Sequence, residues 1–187
     1  GGALIVVGED YGEGASVIQE RSHAYAMKSS IWLLDPRPDL PMITRCVEEG
    51  FELSEATNTP VMLELRIRAC HVTGEFPAKN NKPEKVSRNS RLPGPAAFNY
   101  DRLAHPPATF MQEKLKLEQR LPAARKFIIE RGLNETMPGD LSEIGIVVQG
   151  GLYNALNRAL MNLGLADAFG NSRVPTLVLN VTYPLVP

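Results

Sequence analysis

Residues 31–67, IWLLDPRPDLPMITRCVEEGFELSEATNTPVMLELRI, contain the clearest structural pattern in the sequence. Ile31 to Leu34 is a short apolar run that an Asp-Pro-Arg-Pro turn closes, and Val61 to Ile67 is a second apolar run. Both runs predict buried strands. Between them, apolar residues recur at steps of three or four and predict a helix with one buried face: Leu40, Ile43, Val47 and Phe51. Strand, helix and strand in this order predict an α/β fold with a parallel sheet.

Residues on the N-terminal side of this stretch repeat the pattern. Ala3 to Val7 predicts a first buried strand, and residues 16–28 predict a helix that Ser16 caps. In the helix of the quoted stretch, Asp39 is placed to act as the N-cap, and Pro41 lies in the first turn, where a missing N–H costs little. The first 75 residues therefore predict alternating strands and helices.

The loop after the first strand contains Gly8, Gly12 and Gly14, which raises the possibility of a phosphate cradle. A dinucleotide-binding loop needs the spacing G-x-G-x-x-G, and this loop lacks it. Three acidic side chains lie between the glycines and would repel a phosphate: Glu9, Asp10 and Glu13. A second loop of this kind, in residues 149–160 (QGGLYNALNRAL), also lacks the fingerprint. Both loops predict tight turns from a strand to a helix.

The composition changes after these elements. Residues 77–108 are rich in Pro, Asn, Lys and Arg without an apolar period, which predicts a long connector. A helical pattern follows, which Thr109 is placed to cap, Pro122 interrupts and Gly132 ends. A second α/β pattern comes last: a strand over 144–148, a helix over 152–163 and a strand over 176–181. We therefore predict α/β pieces at 1–75 and 141–187, joined by a connector with a helix at 76–140.

Charge divides along similar lines. Residues 1–75 contain 6 basic and 12 acidic residues, whereas residues 76–131 contain 12 basic and 5 acidic ones. The basic part could bind an anionic partner, or it could lie as a strap across acidic surfaces of its own protein. Because aromatic residues are not interleaved with its charges and the whole chain has a net charge of −1, we expect no nucleic-acid partner.

Cysteine content and the chain ends bear on location and completeness. Cys46 and Cys70 alone form neither a disulfide framework nor a metal cluster, which suits a reducing, cytoplasmic location. No apolar run approaches the roughly 20 residues of a membrane helix, so we expect no membrane association. The chain starts with Gly1-Gly2 at a strand and ends soon after another strand, which predicts a segment of a longer protein. A processed or tagged full-length chain is the alternative.

The end of the third predicted strand is the strongest candidate for a ligand-binding rim, because ligands collect at the carboxyl ends of parallel strands. Arg66 and Arg68 are predicted to share a face, and His71 follows them. This cationic, titratable corner suits a carboxylate. In the alternative interpretation, the same residues form structural pairs with a nearby acidic side chain such as Glu64 or Glu75.

Several motifs are similar to those of one enzyme family. Residues 1–26 contain Gly-Gly, an apolar strand, Gly8-Glu9-Asp10, Gln19-Glu20 and Tyr25. Residues 50–72, GFELSEATNTPVMLELRIRACHV, are the most specific stretch, and residues 144–187 end in a strand followed by Tyr-Pro-Leu. Together they resemble the second half of the pyrimidine-binding domain and the start of the transketolase C-terminal-like domain of 2-oxoacid:ferredoxin oxidoreductases, most closely the α subunit of the indolepyruvate-type enzymes.

The resemblance implies an oxidoreductase that decarboxylates aryl 2-oxoacids with thiamine diphosphate and magnesium, with iron–sulfur clusters passing electrons to ferredoxin and coenzyme A accepting the acyl group. It also implies a second (beta) subunit and the rest of a parent chain as partners. By the same resemblance, Gln19, Glu20, Arg68 and His71 lie near the substrate or cofactor. The aminopyrimidine glutamate and the diphosphate motif fall outside this segment in the family, so we expect the segment alone to bind no cofactor and to be inactive.

The chain departs from the family pattern in two places. Gly14-Ala15-Ser16 replaces consecutive serines, and Glu64-Leu65-Arg66-Ile67 replaces a more usual Arg-Pro-Thr-Thr. The second departure changes the rim beside Arg68 and therefore bears on which oxoacid fits. A non-catalytic α/β module that binds a ligand or partner at the same rim is the alternative function.

Overall fold

A computed structural model describes residues 2–10, 21–80 and 99–187 of the protein. Its strands are β1 (Leu4–Glu9), β2 (Trp32–Leu34), β3 (Val61–Arg66), β4 (Glu135–Met137), β5 (Ile146–Gln149), β6 (Thr176–Leu179) and β7 (Val181–Tyr183). Its helices are α1 (Ser22–Ser29), α2 (Leu40–Thr57), α3 (Ile67–Cys70), α4 (Ala108–Leu115), α5 (Leu121–Glu130) and α6 (Tyr153–Asn162). The mixture of parallel strands and helices confirms the predicted α/β class.

The first sheet has the strand order β1-β3-β2-β7. β1 and β2 run parallel to β3 on either side of it, as the strand–helix–strand pattern predicts. α2 covers this sheet, and the buried indole of Trp32 donates a hydrogen bond of 2.8 Å to Thr57 Oγ1 at the end of that helix. The carboxyl ends of β1, β2 and β3 therefore lie along one edge.

α2 begins where the sequence predicts, but it buries a different face. Asp39 accepts a hydrogen bond of 3.1 Å from the Met42 amide and is the N-cap. Phe51, predicted to be buried, is 46 % exposed, and the buried stripe is instead rotated by about one residue: Met42, Cys46, Gly50, Leu53, Ser54 and Thr57. Gly50 explains the rotation, because a Cβ there would lie 2.7 Å from Leu4 Cδ1 of β1. The small residue lets the helix approach the sheet closely.

The helical region after the connector is more continuous than predicted. A π-helical turn over Lys116–Arg120 joins α4 to α5, and Pro122 lies in the first turn of α5. Proline is accommodated there because the π-helical turn interrupts the regular α-helical hydrogen bonds just before a residue that lacks an N–H. The predicted Thr109 cap is wrong, since α4 begins at Ala108 without a side-chain cap. Gly132 follows α5 with a φ of +54°, as expected for a residue that ends a helix.

The second sheet has the order β4-β6-β5, with β5 parallel and β4 antiparallel to β6. β4 is absent from the sequence prediction, since its three residues are too few for a periodic pattern. The strand predicted over 176–181 is two strands: β6 ends at Leu179, and after Asn180 the chain enters β7, which pairs antiparallel with β2 of the first sheet. The division of the chain into domains at 1–75, 76–140 and 141–187 stays a prediction. β7 follows β6 of the second sheet and pairs with β2 of the first, so it connects the two sheets.

Candidate functional site

A polar cluster lies where the carboxyl ends of the strands of both sheets meet. We call it the rim cluster: Glu9, Asp35, Glu64, Arg66 and Gln149. Glu9, Arg66 and Gln149 are the last residues of β1, β3 and β5, and Asp35 directly follows β2. Its four charged side chains are buried. Buried charges are unusual unless paired, so the rim cluster is the first place to look for function.

Arg66 is the centre of the rim cluster. Its Nη2 donates hydrogen bonds of 2.9 Å to Asp35 Oδ2 and 2.9 Å to Gln149 Oε1. Its Nε lies 3.2 and 3.3 Å from the two Asp35 oxygens. This fork on one carboxylate is the geometry that guanidinium groups favour. Arg66 thereby links β3 of the first sheet to β5 of the second.

The Gly150-Gly151 turn closes the cluster from the second sheet. The Gly151 amide donates a hydrogen bond of 3.1 Å to Asp35 Oδ1. A Cβ on Gly151 would overlap that oxygen and lie 2.6 Å from Arg66 Nε, and a Cβ on Gly150 would overlap the Asp35 carbonyl. The predicted tight turn is therefore correct, and its glycines serve close packing of backbone against a buried ion pair.

Glu64 is the member of the rim cluster whose charge is least compensated. Arg66 Nε lies 3.3 Å from Glu64 Oε1, but the single hydrogen on that nitrogen faces Asp35. Glu64 Oε1 is buried and has no hydrogen-bond partner. Burial, the Asp35 charge, and the charge and hydrogen bonding of Glu9 raise the pKa of Glu64 to about 8, although Arg66 opposes the shift. Burial also raises the pKa of Asp35, against the lowering effect of Arg66.

Glu9 connects the cluster to the start of α1. Its two carboxylate oxygens lie 3.2 and 3.3 Å from the amide of Ser22, the first residue of that helix. From the sequence, Glu9 is interpreted as a charge that repels phosphate and as part of the Gly8-Glu9-Asp10 motif. Its buried position, at 4 % exposure, makes it part of the wall of the site.

A cavity of about 480 Å³ opens over the rim cluster. It is lined by Glu9, Arg21, His23, Ala24, Met27, Glu64, Arg66 and Gln149. The volume is within the range of small-molecule sites, roughly 300–1,000 Å³. Carboxyl groups and Arg66 form its buried base, whereas Arg21, His23 and Met27 are exposed at its mouth.

A second, partly buried network lies beside the rim cluster and holds Asn180 in place between β6 and β7. Asn180 accepts a hydrogen bond of 2.8 Å from the Arg37 amide and donates to Leu133 O at 2.9 Å and Glu135 Oε2 at 3.0 Å. Arg37 also makes two 3.1 Å hydrogen bonds to the Glu135 carboxylate. Burial raises the pKa of Glu135, but the hydrogen bonds from Arg37 and Asn180 outweigh it and the net shift is downward. This network is structural, because its polar groups satisfy one another.

The structure separates the residues that the sequence placed together at the third strand. β3 ends at Arg66 and α3 begins at Ile67, so the expected shared face of Arg66 and Arg68 is wrong. Arg66 points into the buried cluster, whereas Arg68 and His71 are exposed on and after α3 and do not line the cavity. Gln19 and Glu20 lie outside the described residues. A role for Arg68 and His71 near the substrate stays a prediction.

The sequence analysis missed Asp35, Glu64 and Gln149 as members of one site. A signal was available for Glu64 and Arg66, because two charged residues two positions apart inside an apolar strand must share a face. No such signal exists for Gln149, since its contact with Arg66 spans 83 residues. Among the described residues, no group of three or more His, Cys, Asp or Glu side chains is arranged to hold a metal ion. Within the same ranges, none of the helices has the length and apolar character to cross a membrane.

Comparison with known proteins supports the family resemblance. The chain is 29 % identical over 186 residues to indolepyruvate oxidoreductase subunit IorA of Methanothermobacter thermautotrophicus, and 27 % identical over 184 residues to the subunit of the same name in Methanothermobacter marburgensis. Each match covers 98 % of this chain and 28 % of the relative, so the chain spans little more than a quarter of their length. No protein-family model matches. The similarity confirms the resemblance to indolepyruvate-type enzymes that the motifs predicted.

Proposed function

We propose that this chain is a segment of an enzyme that oxidatively decarboxylates aryl 2-oxoacids of the indolepyruvate type. The observation that carries the proposal is similarity along 98 % of the chain to proteins named as indolepyruvate oxidoreductase subunits. The position of the rim cluster adds support, because ligands bind at the carboxyl ends of strands in parallel α/β sheets. In this proposal the enzyme is a 2-oxoacid:ferredoxin oxidoreductase.

The reaction has a defined balance. The oxoacid loses its carboxylate as carbon dioxide, and the remaining acyl group is transferred to the thiol of coenzyme A. Two electrons pass, one at a time, through iron–sulfur clusters to two molecules of ferredoxin, and one proton is released. Thiamine diphosphate, held by other parts of the parent protein, would supply a nucleophilic carbon and an electron sink for this decarboxylation.

The described residues do not fit the diphosphate and magnesium end of that cofactor. The rim cluster contains three carboxyl groups, and its one arginine is engaged by Asp35 and Gln149. A diphosphate needs several donors and positive charge, which this base does not provide. We therefore assign diphosphate, magnesium and the clusters to other parts of the parent protein, and we expect this segment alone to be inactive.

The proposed partners follow from the kind of enzyme. The relatives are named as subunits, which supports the presence of partner chains. We propose the rest of the parent chain, a second (beta) subunit and ferredoxin as the partners, and the cytoplasm as the location. The basic residues between 76 and 131 are suited to acidic surfaces of such partners or of the parent chain itself.

A non-catalytic α/β module that binds a small ligand or a partner is the second candidate. The observation in its favour is a cavity of about 480 Å³ over the rim cluster, which is large enough for a small ligand. A binding module needs nothing more, whereas the enzyme needs groups from elsewhere.

The parent open reading frame separates the two candidates. The enzyme requires a Gly-Asp-Gly-like diphosphate motif and CxxC-rich cluster segments downstream of Pro187. The purified parent protein is then expected to contain thiamine diphosphate and iron. A parent frame without either motif would support the binding module and overturn the enzyme.

A further inference from the structure

The cavity over the rim cluster changes polarity between its mouth and its base. Arg21 and His23 lie exposed at the mouth, together with Met27, which is 54 % exposed. At the base, Glu64 is 2 % exposed and Glu9 is 4 % exposed. A ligand that fills this space meets the positive charge of Arg21 at the mouth and carboxyl groups inside.

The base offers a hydrogen-bond acceptor that the described contacts leave unused. Arg66 gives its Nε hydrogen to Asp35 and its Nη2 hydrogens to Asp35 and Gln149, so the nearby Glu64 Oε1 receives charge attraction but no hydrogen bond. A buried polar atom without a partner is costly, and a ligand that donates a hydrogen bond removes the cost. Rotation about the last torsion of a glutamate is soft, so either carboxyl oxygen can be turned toward the cavity.

We propose that Glu64 accepts a hydrogen bond from the ring N–H of an aryl 2-oxoacid in this cavity and thereby sets a preference for an indole ring over a phenyl ring. This inference rests on the proposed function and adds a specificity-determining residue to it. The oxoacid carboxylate lies toward Arg21 and His23, and the ring packs beside Ala24 and Met27. A simple amine fits less well because Arg21 at the mouth repels it. A phosphate fits less well because the carboxyl groups at the bottom of the cavity repel it.

Protonation of Glu64 makes this arrangement compatible with an anionic ligand. Burial and the neighbouring carboxyl groups raise the pKa of Glu64 to about 8, so the side chain is largely neutral at pH 7. A neutral carboxyl still accepts an N–H through its carbonyl oxygen. The titratable and charged groups that face it are Glu9 from β1, Asp35 after β2, Arg66 from β3, and Arg21 and His23 at the start of α1.

Substrate analogues test the proposal in the full parent protein with its partner subunits and cofactors. We expect kcat/KM for indolepyruvate to exceed that for 1-methylindole-3-pyruvate, which lacks the N–H, and that for phenylpyruvate by about tenfold or more. Glu64→Gln keeps a carbonyl acceptor and is expected to retain the preference. Glu64→Leu removes the acceptor. The ratio of kcat/KM for indolepyruvate to that for each of the two analogues is then expected to fall within about threefold of one, mainly through loss of indolepyruvate turnover.

Controls separate the possible failures. Glu143→Leu, which removes an exposed carboxyl away from the cavity, is expected to leave both ratios unchanged. If Glu64→Leu does not fold, Glu64→Met takes its place. Wild-type ratios within threefold of one, or a folded Glu64→Leu variant that keeps the wild-type ratios, would overturn the inference while leaving the proposed function intact. A wild-type complex that turns over none of the three oxoacids would overturn both.

Discussion

At the scale of single residues, Gly151 occupies the point where the turn after β5 touches the Asp35 carboxylate. The amide donates to that carboxylate, and the space where a side chain would stand is filled by Asp35 and Arg66. A glycine is therefore required at position 151, because any side chain would overlap Asp35 and Arg66. The same contact joins the two sheets at the rim cluster.

Gly151→Ala is expected to lower the stability of the purified chain by about 1–3 kcal/mol, because the added methyl forces the buried ion pair apart. A loss of 1 kcal/mol corresponds to roughly 2–4 °C in melting temperature for a chain of this size, so thermal unfolding followed by circular dichroism measures it. Gly8→Ala is the matched control, since a Cβ there meets nothing within 4 Å. Equal melting temperatures for the two variants would contradict the packing argument.

Glu64 makes folding stability depend on pH. Its pKa is about 8 in the folded chain, against a reference value of 4.5. Between these values the unfolded chain has released a proton that the folded chain keeps, so this group's contribution to stability falls as pH rises from about 4.5 to 8. We expect Glu64→Gln to remove this pH-dependent loss of folding stability and to raise the melting temperature at pH 8 relative to wild type. If the melting temperatures of wild type and variant change in parallel from pH 5 to pH 8, the raised pKa of Glu64 is contradicted.

Arg68 and His71 remain candidates for positioning the substrate end of the complete enzyme or an adjoining domain. If they do so, alanine at either position is expected to lower kcat/KM of the full enzyme by about tenfold or more, with little change in melting temperature. Arg guanidinium and imidazole suit a carboxylate and proton transfer, respectively. Unchanged activity with a melting temperature several degrees lower would assign both residues a structural role.

At the scale of secondary-structure elements, Asn180 stabilises the point where the chain passes from β6 of the second sheet to β7 of the first. Its side chain binds Arg37, Leu133 and Glu135 between β6 and β7. Asn180→Ala leaves the Arg37 amide and the Leu133 carbonyl without these partners, so we expect a loss of about 2 kcal/mol or more. Asn162→Ala, an exposed asparagine at the end of α6, is the control. Similar urea unfolding midpoints for both variants would show that the passage of the chain from β6 to β7 does not depend on the Asn180 side chain.

Element positions could be predicted from the sequence where local signals are strong. The Asp39 cap, the Pro41 start and the Gly132 stop are local, and the structure confirms them. The buried face of α2 could not be predicted, because it depends on Gly50 meeting Leu4, a contact across 46 positions. The strand break at Asn180 has the same origin, since its partners come from β2's turn and from the residues around β4.

At the scale of the whole molecule, the site exists only because two sheets place their strand ends together. Each member of the rim cluster looks ordinary in sequence: Asp35 belongs to a turn, Gln149 precedes a glycine pair and Glu9 ends a strand. The strand pattern pointed to the edge of the first sheet where the rim cluster lies, but it placed Arg66 on an open rim with Arg68. The resemblance to a known family, in contrast, could be recognised from short motifs, because those motifs are contiguous.

The most direct test of the account measures carbon dioxide release from carboxyl-labelled indolepyruvate by the parent protein with its partner subunits. We expect release that depends on thiamine diphosphate, magnesium, coenzyme A and oxidised ferredoxin, with two ferredoxins reduced for each carbon dioxide. The isolated 187-residue chain, assayed with the same additions, is expected to release none above background, because we propose that other parts of the parent protein hold the diphosphate. Carbon dioxide release by the isolated chain would contradict the division of the site, and no release by the complete protein would contradict the proposed function.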